Sequence, residues 1–122
     1  MDLLHLETLG FRVIEKNITF KQEPGLEFKI GSHQNQQYRI HFAKVDDRKD
    51  VEEIARTSFM LDRFHQDPKI DNTLADEIKK RWAGNFFLGK RGDVMVVASR
   101  NNRPIAFLLL LFRQKENIID LI

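Results

Sequence analysis

The first third of the chain contains short stretches with the residue pattern of β-strands. Residues 11–14 and 18–20 are rich in β-branched and aromatic side chains, and residues 26–30 place apolar residues at every second position. Such runs predict half-buried strands. The polar stretch that follows shows no periodicity, so we expect residues 1–37 to form a short β-rich N-terminal segment with a linker.

The middle of the chain combines the periodicities of a strand and of a helix. Residues 38–42 alternate between apolar and polar and predict a strand, after which the acidic pair at 46–47 offers acceptors for a helix start. Residues 51–59 repeat apolar positions at helical spacing, which predicts an amphipathic helix of about three turns. A loop is predicted over residues 62–71, because Pro68 disfavours helical geometry at the residue before it.

A second, longer helix is predicted after this loop. Thr73 and Asp76 have the spacing of a capping box at its start, and Gly84 is a candidate for closing it in a left-handed conformation. One face of this helix carries a stripe of large apolar residues that is expected to pack in the core. The stripe consists of Leu74, Ile78 and Trp82.

The last part of the chain predicts three strands joined by tight turns. Residues 94–98 form the first, and the Asn-Asn pair at 101–102 is a hairpin turn. Residues 105–112 are apolar without alternation, which predicts a central strand covered on both faces. Residues 118–122 predict a third strand. Because natural termini are usually polar or mobile, we expect that this chain is part of a longer protein.

Composition narrows the classes of function. The chain has 122 residues, enough for one domain, and its net charge of +2 argues against a nucleic-acid partner. It has no cysteine, which excludes a disulfide framework and a thiolate nucleophile. No signal peptide is evident, and the longest apolar run is shorter than the roughly 20 residues that cross a bilayer. We therefore expect no membrane partner and a cytoplasmic location.

Four segments carry a resemblance to a known family. Residues 63–70 (RFHQDPKI) precede the second helix, and residues 89–93 (GKRGD) and 104–110 (PIAFLLL) surround the first strand of the last part. In this order they resemble the GNAT superfamily of N-acetyltransferases, and within it the sugar-nucleotide amine acetyltransferases of the dTDP-fucosamine type. Residues 9–15 (LGFRVIE) are similar to the end of the small N-terminal domain of those enzymes.

This resemblance implies an α/β fold with a mixed, mainly antiparallel sheet, and it places the first half of an acetyltransferase domain in residues 38–122. The implied reaction moves an acetyl group from acetyl-CoA to a primary amine, with an amino-sugar nucleotide as the first choice of acceptor. Acetyl-CoA would bond to backbone groups of the last strand, near Leu121 and Ile122. The family's pyrophosphate loop and late tyrosine do not occur in this sequence, so the chain alone is expected to be inactive.

Asp120, Arg63, Phe64 and His65 are the candidate site residues. Asp120 is a carboxylate within an apolar strand and could accept a proton from the substrate ammonium. In the family, the loop holding the other three helps to wall the acceptor site. Arg63 could contact a phosphate of a nucleotide-sugar, and His65 could act as a base. The alternatives are an outward-facing Asp120 paired with a lysine, and a loop packed by Phe64 with two solvated neighbours.

Weaker signals leave other functions open. Lys90 and Arg91 flank a glycine turn and could touch an anionic ligand, although a solvated turn explains them equally well. The four histidines are too scattered for a metal site, so none is expected. Two further functions are a non-catalytic GNAT-like ligand-binding domain and an interaction module. In the second, the strand edge at residues 118–122 pairs with another copy to give a homodimer.

Overall fold

The computed structural model describes residues 3–16, 37–113 and 118–121, which form four α-helices and four strands, with a short 3-10 helix at Val45–Asp47 directly before the second α-helix. In chain order these elements are α1 (Leu3–Thr8), β1 (Arg39–Phe42), α2 (Arg48–Ser58), α3 (Arg63–Gln66), α4 (Asn72–Phe87), β2 (Val94–Arg100), β3 (Arg103–Arg113) and β4 (Ile118–Leu121). The strands make one antiparallel sheet in the order β1-β2-β3-β4. Helix α2 packs against β3 and against α4. In the described ranges, no helix is long and apolar enough to cross a membrane.

Strand β3 occupies the middle of the sheet, as its apolar sequence predicts. It pairs with β2 on one side, where Leu109 lies opposite Met95, and with β4 on the other, where Leu111 lies opposite Asp120. A strand with partners on both sides satisfies its backbone groups within the sheet, which suits a sequence of almost purely apolar side chains.

The prediction that β3 is covered on both faces is wrong for the described part of the chain. Leu109 is buried beneath the helices, whereas Leu108 is 44% exposed and Phe112 also lies exposed. On β1, which pairs with the far side of β2, the large apolar side chains of Ile40 and Phe42 are exposed as well. The described helices cover one face of the sheet, and an unbroken apolar sequence does not reveal which of its two faces they cover.

The core lies between that covered face and the two long helices. Small side chains on the helices let the backbones approach the sheet closely, and branched or flexible side chains on β2 and β3 fill the space between. The buried cluster consists of Val51, Ala55, Ala83, Met95, Val97 and Leu109. Removal of this apolar surface from water is the main force that holds the helical pair on the sheet.

Helix α4 begins two residues earlier than its capping-box pattern predicts. The N-cap is Asp71, whose carboxylate accepts the Thr73 backbone N–H at 2.8 Å. The predicted box between Thr73 and Asp76 is therefore wrong, because Asp71 satisfies the free N–H group first. As a result, the carboxylate of Asp76 faces the preceding loop.

The end of α4 also differs from the prediction. Gly84 lies buried inside the helix, against the Glu52 carboxylate of α2, and the helix continues to Phe87. Gly89 closes it instead, with a φ angle of +65°. Its N–H bonds to the Phe86 carbonyl at 2.9 Å, while the next N–H reaches the Asn85 carbonyl at the same distance. This pair of backbone hydrogen bonds is a Schellman motif, which favours glycine at the left-handed position.

The N-terminal segment is only partly described, and the part that is described is not β-structure. Residues 3–8 form α1, where the Thr8 hydroxyl donates to the His5 carbonyl, and residues 11–14 form no strand. Aromatic and β-branched composition alone does not make a strand, and none of the described strands pairs with residues 11–14. The predicted strands at 18–20 and 26–30 lie outside the described residues, and the domain division after residue 37 stays a prediction.

The predicted hairpin between β2 and β3 is confirmed and allows a direct test. Asn101 and Asn102 have φ angles of +51° and +60°, as a two-residue type I′ turn requires. We expect Asn102→Ala to lower the free energy of unfolding by about 1 kcal/mol, because alanine pays the left-handed penalty that asparagine largely escapes. Asn102→Gly should cause no loss. Chemical denaturation of the three proteins checks this, and an equal loss for both variants would contradict the turn assignment.

Candidate functional site

The candidate site begins in the connection between α2 and α4, which was predicted to be an irregular loop. It contains the short helix α3, capped by Asp62, whose carboxylate accepts the Phe64 backbone N–H at 2.9 Å. A single helical turn with a side-chain cap fixes the backbone of Arg63, Phe64 and His65. These are the three residues that the sequence singles out for substrate binding.

His65 is held between two carboxylates. Its Nδ1 lies 2.6 Å from Asp62 and its Nε2 lies 3.0 Å from Asp76 on α4, while the side chain is only 8% exposed. Since both partners accept hydrogen bonds, the arrangement favours the doubly protonated ring. The bond to Asp76, together with that to Asp62, raises the pKa of His65 above its ordinary value, although burial opposes the shift. With both nitrogens engaged, this geometry argues against His65 as a base.

The two carboxylates are in turn held by further cations. Burial alone would raise the pKa of Asp62, but the Phe64 N–H, His65 and Lys79 outweigh it and keep that pKa below its usual range. The Lys79 ammonium lies 3.4 Å from Asp62, and the Arg56 guanidinium of α2 lies 3.8 Å from Asp76. The network therefore ties α2, the α3 turn and α4 together through side chains.

Aromatic rings surround the same lysine. Its ammonium lies 4.8 Å from the centroid of Phe59, 5.4 Å from that of Phe64 and 5.2 Å from that of Trp82. Phe64 meets Trp82 edge to face, with ring centroids 5.3 Å apart. The helical spacing of Trp82 predicts that it lies in the buried core, and this prediction is wrong. Trp82 is half-buried in a cluster of aromatic and charged groups.

The guanidinium groups of two arginines lie over the two rings of this pair. The Arg63 guanidinium lies 4.8 Å from the Phe64 centroid, and that of Arg91 lies 4.6 Å from the Trp82 centroid. The structure therefore brings two separately predicted segments together, the α3 turn and the glycine turn before β2. The meeting point is Trp82, which sequence reasoning assigned to the core.

The sequence held a signal for the missing members of this cluster. Asp76, Lys79 and Trp82 follow one another at intervals of three along α4, so they lie on one side of the helix. The predicted apolar stripe of Leu74, Ile78 and Trp82 is a competing pattern in the same helix. Leu74 is exposed, and Ala75 and Ala83 are buried in its place.

The predicted catalytic strand lies elsewhere in the fold. On β4, Asp120 pairs in register with Leu111, and Leu121 pairs with Leu110, so both are at the side of the sheet away from β1. Ile122 lies outside the described residues. The roles assigned to these three residues, like those assigned to the α3 turn, stay predictions.

A groove of about 370 Å³ runs between α2 and α4, at a place that the sequence does not single out. Much of its charge is neutralised within its own walls, since Arg48 pairs with Glu52 at 2.7 Å and Lys80 with Glu77 at 3.4 Å. Among residues 3–16, 37–113 and 118–121, no cluster of acids and histidines is suited to hold a metal ion.

Comparison with known proteins gives one informative similarity. No protein-family model and no solved structure matches the chain. Over 69 residues the chain is 41% identical to the spore coat polysaccharide biosynthesis protein SpsD of Bacillus subtilis (strain 168). The matching segment is 57% of this chain and 24% of SpsD, so the chain spans about a quarter of the length of this relative.

Proposed function

We propose that this chain belongs to a sugar-modifying enzyme that transfers an acetyl group from acetyl-CoA to the amino group of a nucleotide-linked sugar. The observation that carries the proposal is the 41% identity to SpsD over 69 residues, since that protein is named for polysaccharide biosynthesis. The resemblance of residues 63–70, 89–93 and 104–110 to GNAT acetyltransferases supplies the reaction type.

The fold is compatible with this proposal. A strand, two long helices and an antiparallel meander follow one another over residues 39–121, in the order expected for the first half of a GNAT domain. β4 ends the meander and has the described strand β3 on one side. In the proposed enzyme the acetyl thioester bonds to backbone groups beside Leu121 and Ile122, where donors fixed by a strand stabilise charge on the carbonyl oxygen.

The proposed reaction needs one proton to leave the acceptor ammonium before its nitrogen can attack. We assign this proton to the carboxylate of Asp120, acting directly or through a water molecule. The nitrogen then forms a bond to the acetyl carbon and the bond from that carbon to sulfur breaks. The departing CoA thiolate takes up the second proton, which the nitrogen loses as the amide forms. Arg63 and Phe64 hold the acceptor, on a turn that His65 anchors to α4.

The test is an acetyl-transfer assay with the product of the complete open reading frame. Acetyl-CoA is supplied with an amino-sugar nucleotide, or with the same nucleotide carrying a hydroxyl in place of the amine, and free CoA thiol is measured. We expect thiol release only with the amine. Asp120→Asn should lower kcat by about 100-fold or more, whereas Asp46→Asn, at an exposed acid, should not. If the protein is folded, as shown by a cooperative thermal melt, and releases no CoA thiol in response to the amine, the proposal is wrong.

A non-catalytic role as an interaction domain is the second candidate, and one observation favours it. Ile40, Phe42, Leu108 and Phe112 are large apolar residues exposed on β1 and β3. Exposed apolar surface of this kind often marks a contact between proteins. In this reading the chain forms homodimers through its sheet, and light scattering over a range of concentrations tests it, since a monomer throughout would count against it.

A further inference from the structure

Arg63 and Arg91 differ in their contacts from three cations on α2 and α4. Arg48, Arg56 and Lys79 each bond a carboxylate. Arg63 and Arg91 instead stack on Phe64 and Trp82, and within the described ranges neither is paired with an acid. No acidic side chain in the described part of the chain therefore neutralises their positive charge.

Stacking fixes a guanidinium without using its hydrogen bonds. A guanidinium over an aromatic ring is held through its flat face, so the N–H groups around its edge remain available to a ligand. Phe64 and Trp82 are themselves held by contact with each other and with Lys79. The two arginines are thus oriented in advance, and less side-chain entropy is lost when they bind.

We propose that Arg63 and Arg91 together bind the diphosphate group of a nucleotide-sugar acceptor. This inference rests on the proposed function and adds Arg91 and the Trp82 platform to the acceptor site. Guanidinium forks match pairs of phosphate oxygens, and two of them suit two linked phosphates better than one small carboxylate. Lys79, although paired with Asp62, adds positive charge beside the platform. The exposed surface of the rings can contact the apolar part of a nucleotide.

The single tryptophan of the chain provides the measurement, because Trp82 is the residue on which Arg91 stacks. Its intrinsic fluorescence is followed while thymidine diphosphate, inorganic pyrophosphate or CoA is added to the 122-residue chain. We expect a saturable change with thymidine diphosphate, a weaker one with pyrophosphate, and a loss of binding as salt is raised. Tighter binding of CoA than of thymidine diphosphate would overturn the assignment to the acceptor.

Three variants decide whether the two stacked arginines are responsible. Arg63→Ala and Arg91→Ala should each weaken thymidine diphosphate binding about tenfold or more, as expected for hydrogen bonds to a charged group. Arg81→Ala is the matched control, since Arg81 precedes Trp82 on α4 and bears the same charge without stacking on a described ring. An equal loss of affinity for thymidine diphosphate in all three variants would show that only the net charge of the protein matters, and it would overturn the proposal.

A fourth variant and a second technique guard against loss of the fold. Arg91→Lys keeps the charge but loses the planar fork, so we expect weaker binding with an unchanged thermal melt by circular dichroism. Calorimetric titration repeats the affinities without relying on Trp82. Because binding needs no acetyl-CoA, the two proposals fail separately. Binding without acetyl transfer contradicts only the proposed function, and transfer that survives Arg63→Ala and Arg91→Ala contradicts only this site.

Discussion

Gly92→Ala is expected to lower the free energy of unfolding by about 3 kcal/mol. Gly92 has a φ angle of +73°, where an alanine costs about 1–2 kcal/mol. A Cβ atom there would also lie 2.8 Å from Cγ of Leu109, a core residue that is 3% exposed. Overpacking of this kind costs about 1–3 kcal/mol, and the next residue cannot relax freely because the Asp93 N–H bonds the Leu110 carbonyl at 2.8 Å.

The control for this variant is Gly89→Ala. Gly89 also has a positive φ angle, +65°, but a Cβ atom there would meet no atom within 4 Å. Gly89→Ala should therefore lower the free energy of unfolding only by the backbone penalty, about 1 kcal/mol. Denaturant unfolding of the two variants separates the contributions, and losses of equal size would show that the contact with Leu109 has no energetic effect.

His65→Ala is expected to lower the free energy of unfolding by about 2 kcal/mol at slightly acidic pH. The substitution removes two hydrogen bonds to charged groups and leaves Asp62 and Asp76 without their shared partner. The pKa of His65 is raised in the folded chain above its ordinary value of 6.5. The stabilisation it provides is thus fully present below pH 6.5 and is lost as the pH rises through the folded-state pKa. The difference between wild type and variant should shrink over that interval.

Urea unfolding at a series of pH values tests this behaviour. At the acid end a second change is expected, because the pKa of Asp62 lies below its ordinary value and its contribution is lost as the pH falls through the folded-state pKa. His5→Ala serves as the control, since His5 is exposed and its ring has no described partner. Parallel stability curves for wild type and His65→Ala would contradict the bridge between Asp62 and Asp76.

The strands of the last part of the chain could be predicted because their signals are local. The Asn-Asn turn at 101–102 and the apolar runs on either side define a hairpin without any long-range information. The central position of β3 followed from its composition. The exposure of one face of β3 could not be predicted from the sequence, because an apolar run has the same composition whether one or both of its faces are packed.

The network around His65 could not be predicted with the same ease. His65 and Asp76 are eleven residues apart and meet only because the α3 turn packs back on α4. The capping-box pattern also assigned Asp76 to a different role, although Asp71 performs it. The choice of the α3 turn as part of the site stays a prediction. Its partner Trp82 is wrongly predicted to lie in the core, because spacing alone cannot separate a packed ring from a half-buried one.

The order of the strands has a consequence for how the chain folds. β2, β3 and β4 are neighbours both in the sheet and in the sequence, and α2 and α4 form a helical pair between β1 and β2. Each of these two units closes short loops and can form early, whereas β1 must wait until a long connection has brought β2 alongside it. We therefore expect β1 to be the last strand to join the sheet, and we expect its amide protons to exchange with solvent before those of β2 and β3.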